Sequence, residues 1–194
     1  MRPAVFVDRD GTLIEERHYL DRLDLIALCP GAEEAVRLLK AGGFAVVVVT
    51  NQSGVARGRF DEAFVRDVHA ALQGRLEKAD AGLDGYYYCP HHPEGTVPEY
   101  RRGCRCRKPG PGLVERASRD LGLDVSRSFV VGDTWLDMGL AAQSGARGIL
   151  VRTGYGATSA QVRPPGCEAE AIVDTLLDAA QYILRQGARP QERS

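Results

Sequence analysis

The chain has 194 residues, 44% of them hydrophobic, with 25 basic against 26 acidic residues and a formal charge of −1. That length buries a core without covalent staples, and the near-neutral balance gives no general attraction to nucleic acid or to an anionic membrane. The apolar run before Asp8 is too short for a signal-peptide core and none approaches a membrane span, so a cytoplasmic location is expected.

Ala4 to Val7 is an apolar run without polar alternation, the pattern of a strand buried on both faces. It runs into Asp8-Arg9-Asp10-Gly11-Thr12, which puts two carboxylates at the carboxyl end of a strand, where open α/β sheets bind ligands. Gly11 lets the chain turn sharply there. Such a pair can divide labour, one aspartate attacking phosphorus while its neighbour moves protons. An acidic turn without chemistry is the alternative for this stretch alone. Leu13 to Leu28 mixes polar and apolar residues without helical period and reads as a hairpin or flap.

Pro30-Gly31 opens a helix with Ala32, Ala35, Val36 and Leu39 on one face, stopped by Gly42-Gly43. Phe44 to Val49 is a second buried strand. A right-handed crossover brings its end, Thr50-Asn51-Gln52-Ser53-Gly54, to the edge that holds the aspartates. A hydroxyl and amides there can hold a phosphoryl oxygen, or simply close a hydrogen-bonded turn. Asp61 caps a long helix with Phe64, Val65, Val68, Leu72 and Leu76 on one stripe; His69 between them is expected at its boundary, without a role. Tyr86 to Tyr88 is a short third strand.

Cys89-Pro90-His91-His92-Pro93 and Cys104-Arg105-Cys106 follow. Three of the five cysteines lie between positions 89 and 106, which favours metal over a disulfide framework. Cys89, His91, Cys104 and Cys106 are expected to make a tetrahedral Cys₃His zinc site, closed and therefore structural, with the choice of His91 over His92 its least determined part; free thiols on a loop beside an exposed histidine pair are the alternative. Arg101, Arg102 and Arg105 either offset the thiolate charge or bind an anion. Arg107 and Lys108 stand directly before a helix carrying Leu113, Val114, Ala117 and Leu121, where their charge and the helix N-terminus can meet a phosphate.

Ser128 to Val131 is the next strand, and it delivers Asp133, which with Asp8 can bind Mg²⁺. Asp137 either hydrogen-bonds into that metal shell or caps a helix running to Ser144. Gly148 to Val151 and Ala171 to Val173 are later strands, Asp174 to Leu184 is a last helix, and 186–194 is expected to fray. The pattern predicts an α/β fold in one domain over 1–185: a Rossmann-like parallel sheet with helices on both faces, no separate cap domain, and an inserted zinc-binding loop at 89–106.

The set Val7-Asp8-Arg9-Asp10-Gly11-Thr12, Val49-Thr50-Asn51-Gln52-Ser53-Gly54, Arg107-Lys108-Pro109 and Val131-Gly132-Asp133 resembles the haloacid dehalogenase superfamily of phosphatases. With the Cys/His stretches it is similar, more narrowly, to the branch holding heptose bisphosphate and histidinol-phosphate phosphatases. The resemblance covers about Ala4 to Gly154. It implies Asp8 as nucleophile and Asp10 as acid/base, Mg²⁺ held by Asp8, the Asp10 carbonyl and Asp133, and Thr50 and Lys108 orienting the phosphoryl group. It further implies that Glu16, Arg17, His18 and Tyr19, the turn Thr50, Asn51, Gln52 and Ser53, and Arg107 contact substrate. The expected reaction is removal of the 7-phosphate from a heptose 1,7-bisphosphate of lipopolysaccharide-core or related biosynthesis, by a monomer without nucleic-acid or membrane partners. The interval between His91 and Cys104 favours the heptose over the histidinol substrate. Thr134 departs from the best-known members, which have lysine there. A zinc-ribbon module binding nucleic acid is the non-enzymatic alternative, and it leaves the strand-end aspartates unexplained.

Overall fold

The computed structural model describes residues 1–187. Six strands, β1 (Arg2–Val7), β2 (Ala45–Asn51), β3 (Gly85–Cys89), β4 (Leu123–Gly132), β5 (Arg147–Val151) and β6 (Ala171–Val173), form one sheet in the order β3-β2-β1-β4-β5-β6. Every neighbouring pair is parallel. Order reverses at β1, and ligands bind open α/β sheets at the carboxyl ends beside such a reversal. β1 and β4 therefore frame the site.

The absence of polar alternation in the strands has a direct counterpart in the packing. Val5, Val7, Val46, Val48, Phe129, Val131, Ile149 and Val151 point to one face, covered by α1 (Ala32–Ala41), α3 (Glu62–Lys78) and α7 (Leu176–Gly187). Ala4, Phe6, Ala45, Val47, Val49 and Val130 point to the other, covered by α4 (Gly112–Leu121) and α5 (Trp135–Ser144). Each fully buried valine or leucine adds about 1.5–3 kcal/mol of transfer free energy, so a polar residue at any of these positions would be costly.

Two connections escape the sheet-and-helix layers. Between β1 and α1 the chain forms a flap with one 3₁₀ turn, Leu23–Leu25, and two bridges, Asp10 to Ile14 and Ile14 to Leu28. Between β3 and α4 it forms the Cys/His loop. Among the described residues neither carries a sheet or an α-helix of its own, so the flap and the loop rim the cleft without forming a cap domain.

Some boundaries differ from the sequence reading. β4 starts at Leu123, before the expected Ser128, and its pairing with β1 shifts register between Pro3 and Val5. The polar stretch Asp124 to Arg127 hides this strand from a hydrophobic scan. Ser128 sits in the irregularity, its hydroxyl accepting the Ala4 N–H at 2.8 Å. α2 (Ser53–Ala56) and α6 (Gly156–Gln161) are too short to show a period. α7 starts at Leu176 because Thr175 and Asp178 cap it reciprocally, Thr175 N–H to Asp178 at 3.0 Å and Asp178 N–H to the Thr175 hydroxyl at 3.2 Å. Gln186 and Gly187 belong to that helix, whereas 188–194 lie outside the described residues.

His69 is not at a boundary. It is 7% exposed, with its ring stacked on Tyr86 at 4.8 Å between centroids and edge-on to Tyr88 at 5.7 Å. Burial, reinforced by the charge of Arg9, lowers its pKa to about 3. The unfolded chain, with a histidine pKa near 6.5, then binds one proton more than the native state between these values, so stability falls as pH drops from about 6.5 toward 3, by up to ~1.4 kcal/mol per pH unit. His69→Phe keeps the stacking and removes the proton. Urea unfolding at pH 4.5 and 7 should show a smaller acid loss in that variant, and an equal loss would contradict the assignment.

Candidate active site

At the end of β1, Asp8 is buried against Lys108. The Lys108 ammonium lies 2.7 Å from Asp8 Oδ1 and 2.6 Å from Asp137 Oδ1, and donates to the Val49 carbonyl at 3.1 Å. Three acceptors from three elements thus fix one cation. Asn51, at the end of β2, holds the Lys108 backbone by accepting its N–H at 2.9 Å. Burial alone would lower the Lys108 pKa; Asp137 and Asp8 outweigh it and the net direction is up. Burial pushes the Asp8 carboxyl well up, Lys108 opposes this, and Asp137, Asp133 and Asp10 add to it.

Asp133 follows β4. Its Oδ2 accepts the Tyr155 backbone N–H at 2.8 Å, and burial, only partly opposed by that bond, raises its pKa to about 7. Gly11 and Gly154 pinch it from both sides: an added Cβ would fall 2.2 Å and 2.3 Å from Asp133 Oδ2, and both glycines have positive φ, of 80° and 54°. Thr153 ties the two turns, its hydroxyl donating to the Gly11 carbonyl at 2.6 Å.

Oxygens of Asp8, Asp133 and Asp137 lie within 4.8 Å of one another, three buried carboxylates facing one ammonium. That excess of negative charge fits a hard divalent cation such as Mg²⁺. Asp137 is already engaged, Oδ1 by Lys108 and Oδ2 by the Thr134 hydroxyl at 2.7 Å and N–H at 3.2 Å. It therefore caps α5, one of the two roles the sequence left open, and also anchors Lys108, which the sequence did not suggest. Thr134 is turned toward this cap.

Asp10 sits in a separate network. Arg9 reaches its carboxylate through Nε at 3.1 Å and Nη2 at 3.0 Å, Gln52 donates to it at 2.9 Å, and Arg9 also donates to Gln52 Oε1 at 2.8 Å. Gln52 donates to the Thr50 hydroxyl as well, at 2.9 Å. A cleft of about 180 Å³ joins these groups, lined also by Glu16, His18, Tyr19, Ser53, Phe60, Arg107, Leu136 and Tyr155. Of the flap residues picked out in the sequence, Arg17 stands apart. It is exposed and paired with Glu15 at 2.6 Å, because the chain reverses at His18 and turns that side chain outward. Arg9, Tyr155, Phe60 and Leu136 were not foreseen. Arg9 was hidden between the two aspartates, and the loop after β5 carries no charged motif, its only sequence signal being Gly154 at a strand end.

Beside the cleft, Cys89, His91, Cys104 and Cys106 converge. Their sulfurs lie 3.1–3.4 Å apart, and His91 Nδ1 is 3.7 Å from Cys89 and 3.4 Å from Cys106. A tetrahedral zinc with arms of about 2.3 Å has edges of ~3.8 Å, so the four atoms fit zinc with slight expansion. Cys106 is pulled down to about 5, first by the hydrogen bond it shares with Cys89, whose own thiol rises in turn. His92 turns the other way, its Nε2 3.2 Å from Arg57. Arg107 donates to the His91 carbonyl at 3.4 Å, which links this cluster to the cleft. Purified protein should carry one zinc per chain, and Cys104→Ser should lower thermal stability and raise KM through Arg107 and Lys108. Metal analysis finding no zinc in active protein would contradict this.

Comparison with known proteins agrees with the geometry. A family model described as "HAD-hyrolase-like" matches residues 105–179. The chain is 43% identical over 188 residues to the D-glycero-beta-D-manno-heptose-1,7-bisphosphate 7-phosphatase of Escherichia coli (strain K12), covering 95% of each protein. It is 42% identical over 147 residues to the protein of that name from Rhodopseudomonas palustris, covering 76% of this chain and 82% of that one. The D,D-heptose 1,7-bisphosphate phosphatase of B. bronchiseptica, solved with magnesium and phosphate, superposes with a TM-score of 0.83 at 31% identity, over 96% of this chain and 99% of the other. The chain belongs to the family of haloacid dehalogenase-like phosphatases that contains these proteins, and it is a phosphoric monoester hydrolase.

Proposed function

We propose that the protein removes the 7-phosphate of D-glycero-D-manno-heptose 1,7-bisphosphate through an aspartyl-phosphate on Asp8. The 43% identity to the Escherichia coli enzyme, end to end, carries the substrate; the convergence of four strand ends on one cleft supports the chemistry. An Asp8 oxygen attacks phosphorus while the bond to the sugar oxygen breaks, and Asp10 gives that oxygen a proton. Water, deprotonated by Asp10, then attacks the same phosphorus, the acyl-phosphate bond breaks, and Asp8 and inorganic phosphate are released. Arg9 and Gln52 hold Asp10 for both transfers.

Asp8, Asp133 and the Asp10 carbonyl would hold Mg²⁺, which supplies charge neutralisation on the phosphoryl oxygens when bound. Lys108 and the Thr50 hydroxyl orient the phosphoryl group, with the Asn51 to Ser53 turn beside them. Arg107 has a fork suited to bidentate phosphate contact, and with Glu16, His18 and Tyr19 it faces the remainder of the substrate. Thr134 adds no cation, so the phosphate contacts fall to Lys108 and Arg107. The zinc site is structural and keeps Arg107 and Lys108 in place. Among the described residues no helix is long and apolar enough to cross a membrane. Three cysteines gathered at a zinc site and two outside any disulfide suit a reducing cytoplasm, where we place the protein as a monomer.

Steady-state kinetics on the heptose 1,7-bisphosphate, the heptose 1-phosphate and 7-phosphate, and histidinol phosphate test the reading. The bisphosphate should give the highest kcat/KM, with the 1-phosphate as product. A preference for histidinol phosphate would overturn the substrate and leave the phosphatase chemistry standing.

A further inference from the structure

The flap lines the cleft and is fastened on both sides at His18 and Tyr19. His18 has φ of 58°, the left-handed region, uncommon for non-glycine residues although histidine enters it more readily than most. The turn is closed by the Tyr19 N–H donating to the Arg17 carbonyl at 2.7 Å and by the His18 N–H donating to Glu16. On the β2 side, the Arg59 guanidinium lies over the Tyr19 ring at 5.7 Å. On the β5 side, the Tyr155 hydroxyl meets His18 Nδ1 at 2.7 Å, with the rings 6.1 Å apart. Tyr155 is 43% exposed, so the core does not require its ring there. Its backbone meanwhile holds Asp133.

We propose that Tyr155 is a positioning residue that pins the flap across the cleft through His18, and so sets the preference for an extended, doubly phosphorylated sugar over a compact phosphomonoester. The proposal rests on the bisphosphatase reading above. His18, Tyr19 and Tyr155 all line the cleft, so a flap held at His18 and Tyr19 from both sides meets the part of a substrate that projects beyond the reacting phosphate. A compact ester ends before the pin and gains little from it. Binding energy from such a remote contact appears in discrimination between substrates.

Tyr155→Phe removes the hydroxyl and leaves the N–H to Asp133 intact. His18→Asn removes the imidazole and keeps a residue that tolerates positive φ. Each should lower the ratio of kcat/KM for the bisphosphate to kcat/KM for p-nitrophenyl phosphate by roughly three- to tenfold, the range of one hydrogen bond, mostly through KM. The double variant should lose no more than His18→Asn alone, because that change already removes the contact that Tyr155→Phe breaks, whatever His18 itself adds toward the substrate. Multiplying losses in the double variant, or a ratio that stays constant, would overturn the proposal. If the wild-type protein prefers another extended phosphate ester, the same ratio taken with that ester decides the question, so failure of the substrate reading and failure of the pin are separate results.

Discussion

Asp8→Asn should leave no measurable turnover, a loss of at least ~10⁴-fold, because an amide oxygen cannot serve as the nucleophile that accepts the phosphoryl group. The fold should survive the change. Asparagine has nearly the same volume, and its amide oxygen can still accept from Lys108 and from the Arg9 N–H, which donates to Asp8 at 2.7 Å. The change also removes the burial of a charge, the main cause of the raised Asp8 pKa, and with it the lesser repulsion from Asp137 and Asp133, so in chelator the melting temperature should hold or rise. Asp10→Asn should instead lose ~10²–10⁴-fold, the usual worth of proton transfer, while the nucleophile remains. Acid-quenched single turnovers separate the two cases. Sustained turnover by pure Asp8→Asn protein would sink the mechanism.

Lys108→Met should combine the largest stability cost with a severe catalytic one. The ammonium is buried and pairs with both Asp8 and Asp137, and methionine leaves these carboxylates without their cation. Breaking a buried pair by removing one partner costs about 3–5 kcal/mol. For a chain of this size that lowers the melting temperature by ~10 °C. Turnover should fall by ~10²–10³-fold as the phosphoryl group loses a fixed positive charge. The pH dependence has a definite sign. Carboxylates unpaired in the folded state have pKa values above their unfolded ones, so they bind protons on folding and their penalty grows as pH rises. In chelator, the deficit of Lys108→Met relative to wild type should therefore shrink from pH 8 to pH 5. A deficit that is small and flat with pH would mean that the ammonium does not neutralise this cluster.

The strands and the polar residues that gather at their ends were legible because both signals are local. An apolar run such as Val46 to Val49 reads as a doubly buried strand, and a polar residue immediately after it, such as Thr50, falls at the carboxyl edge of the sheet, where it is buried against Gln52. The Cys/His cluster was legible for the same reason, since short spacings force ligands together. What lay beyond reach depends on distance in sequence. Arg9 and Gln52 meet across 43 positions, His18 and Tyr155 across 137, and neither pair leaves a periodic trace. Asp137 is ambiguous in sequence because a helix cap and a hydrogen bond into a metal shell have the same signature, and neither discloses the ion pair with Lys108 that its second oxygen makes. The position of His69 was misjudged because a heptad-like stripe does not disclose that two tyrosines on β3 wall in its neighbouring position.

The glycine pinch around Asp133 bears on how such an enzyme can change over generations. Any side chain at position 11 or 154 would land inside the carboxylate, and Asp133 cannot yield without giving up its place beside Asp8. These positions thus have no viable single-step neighbours, and no order of small changes leads away from them. Divergence toward other phosphate esters is channelled to the rim, where Glu16 to Tyr19 and the turns of the Cys/His loop can be edited one codon at a time while the floor of the cleft stays as it is.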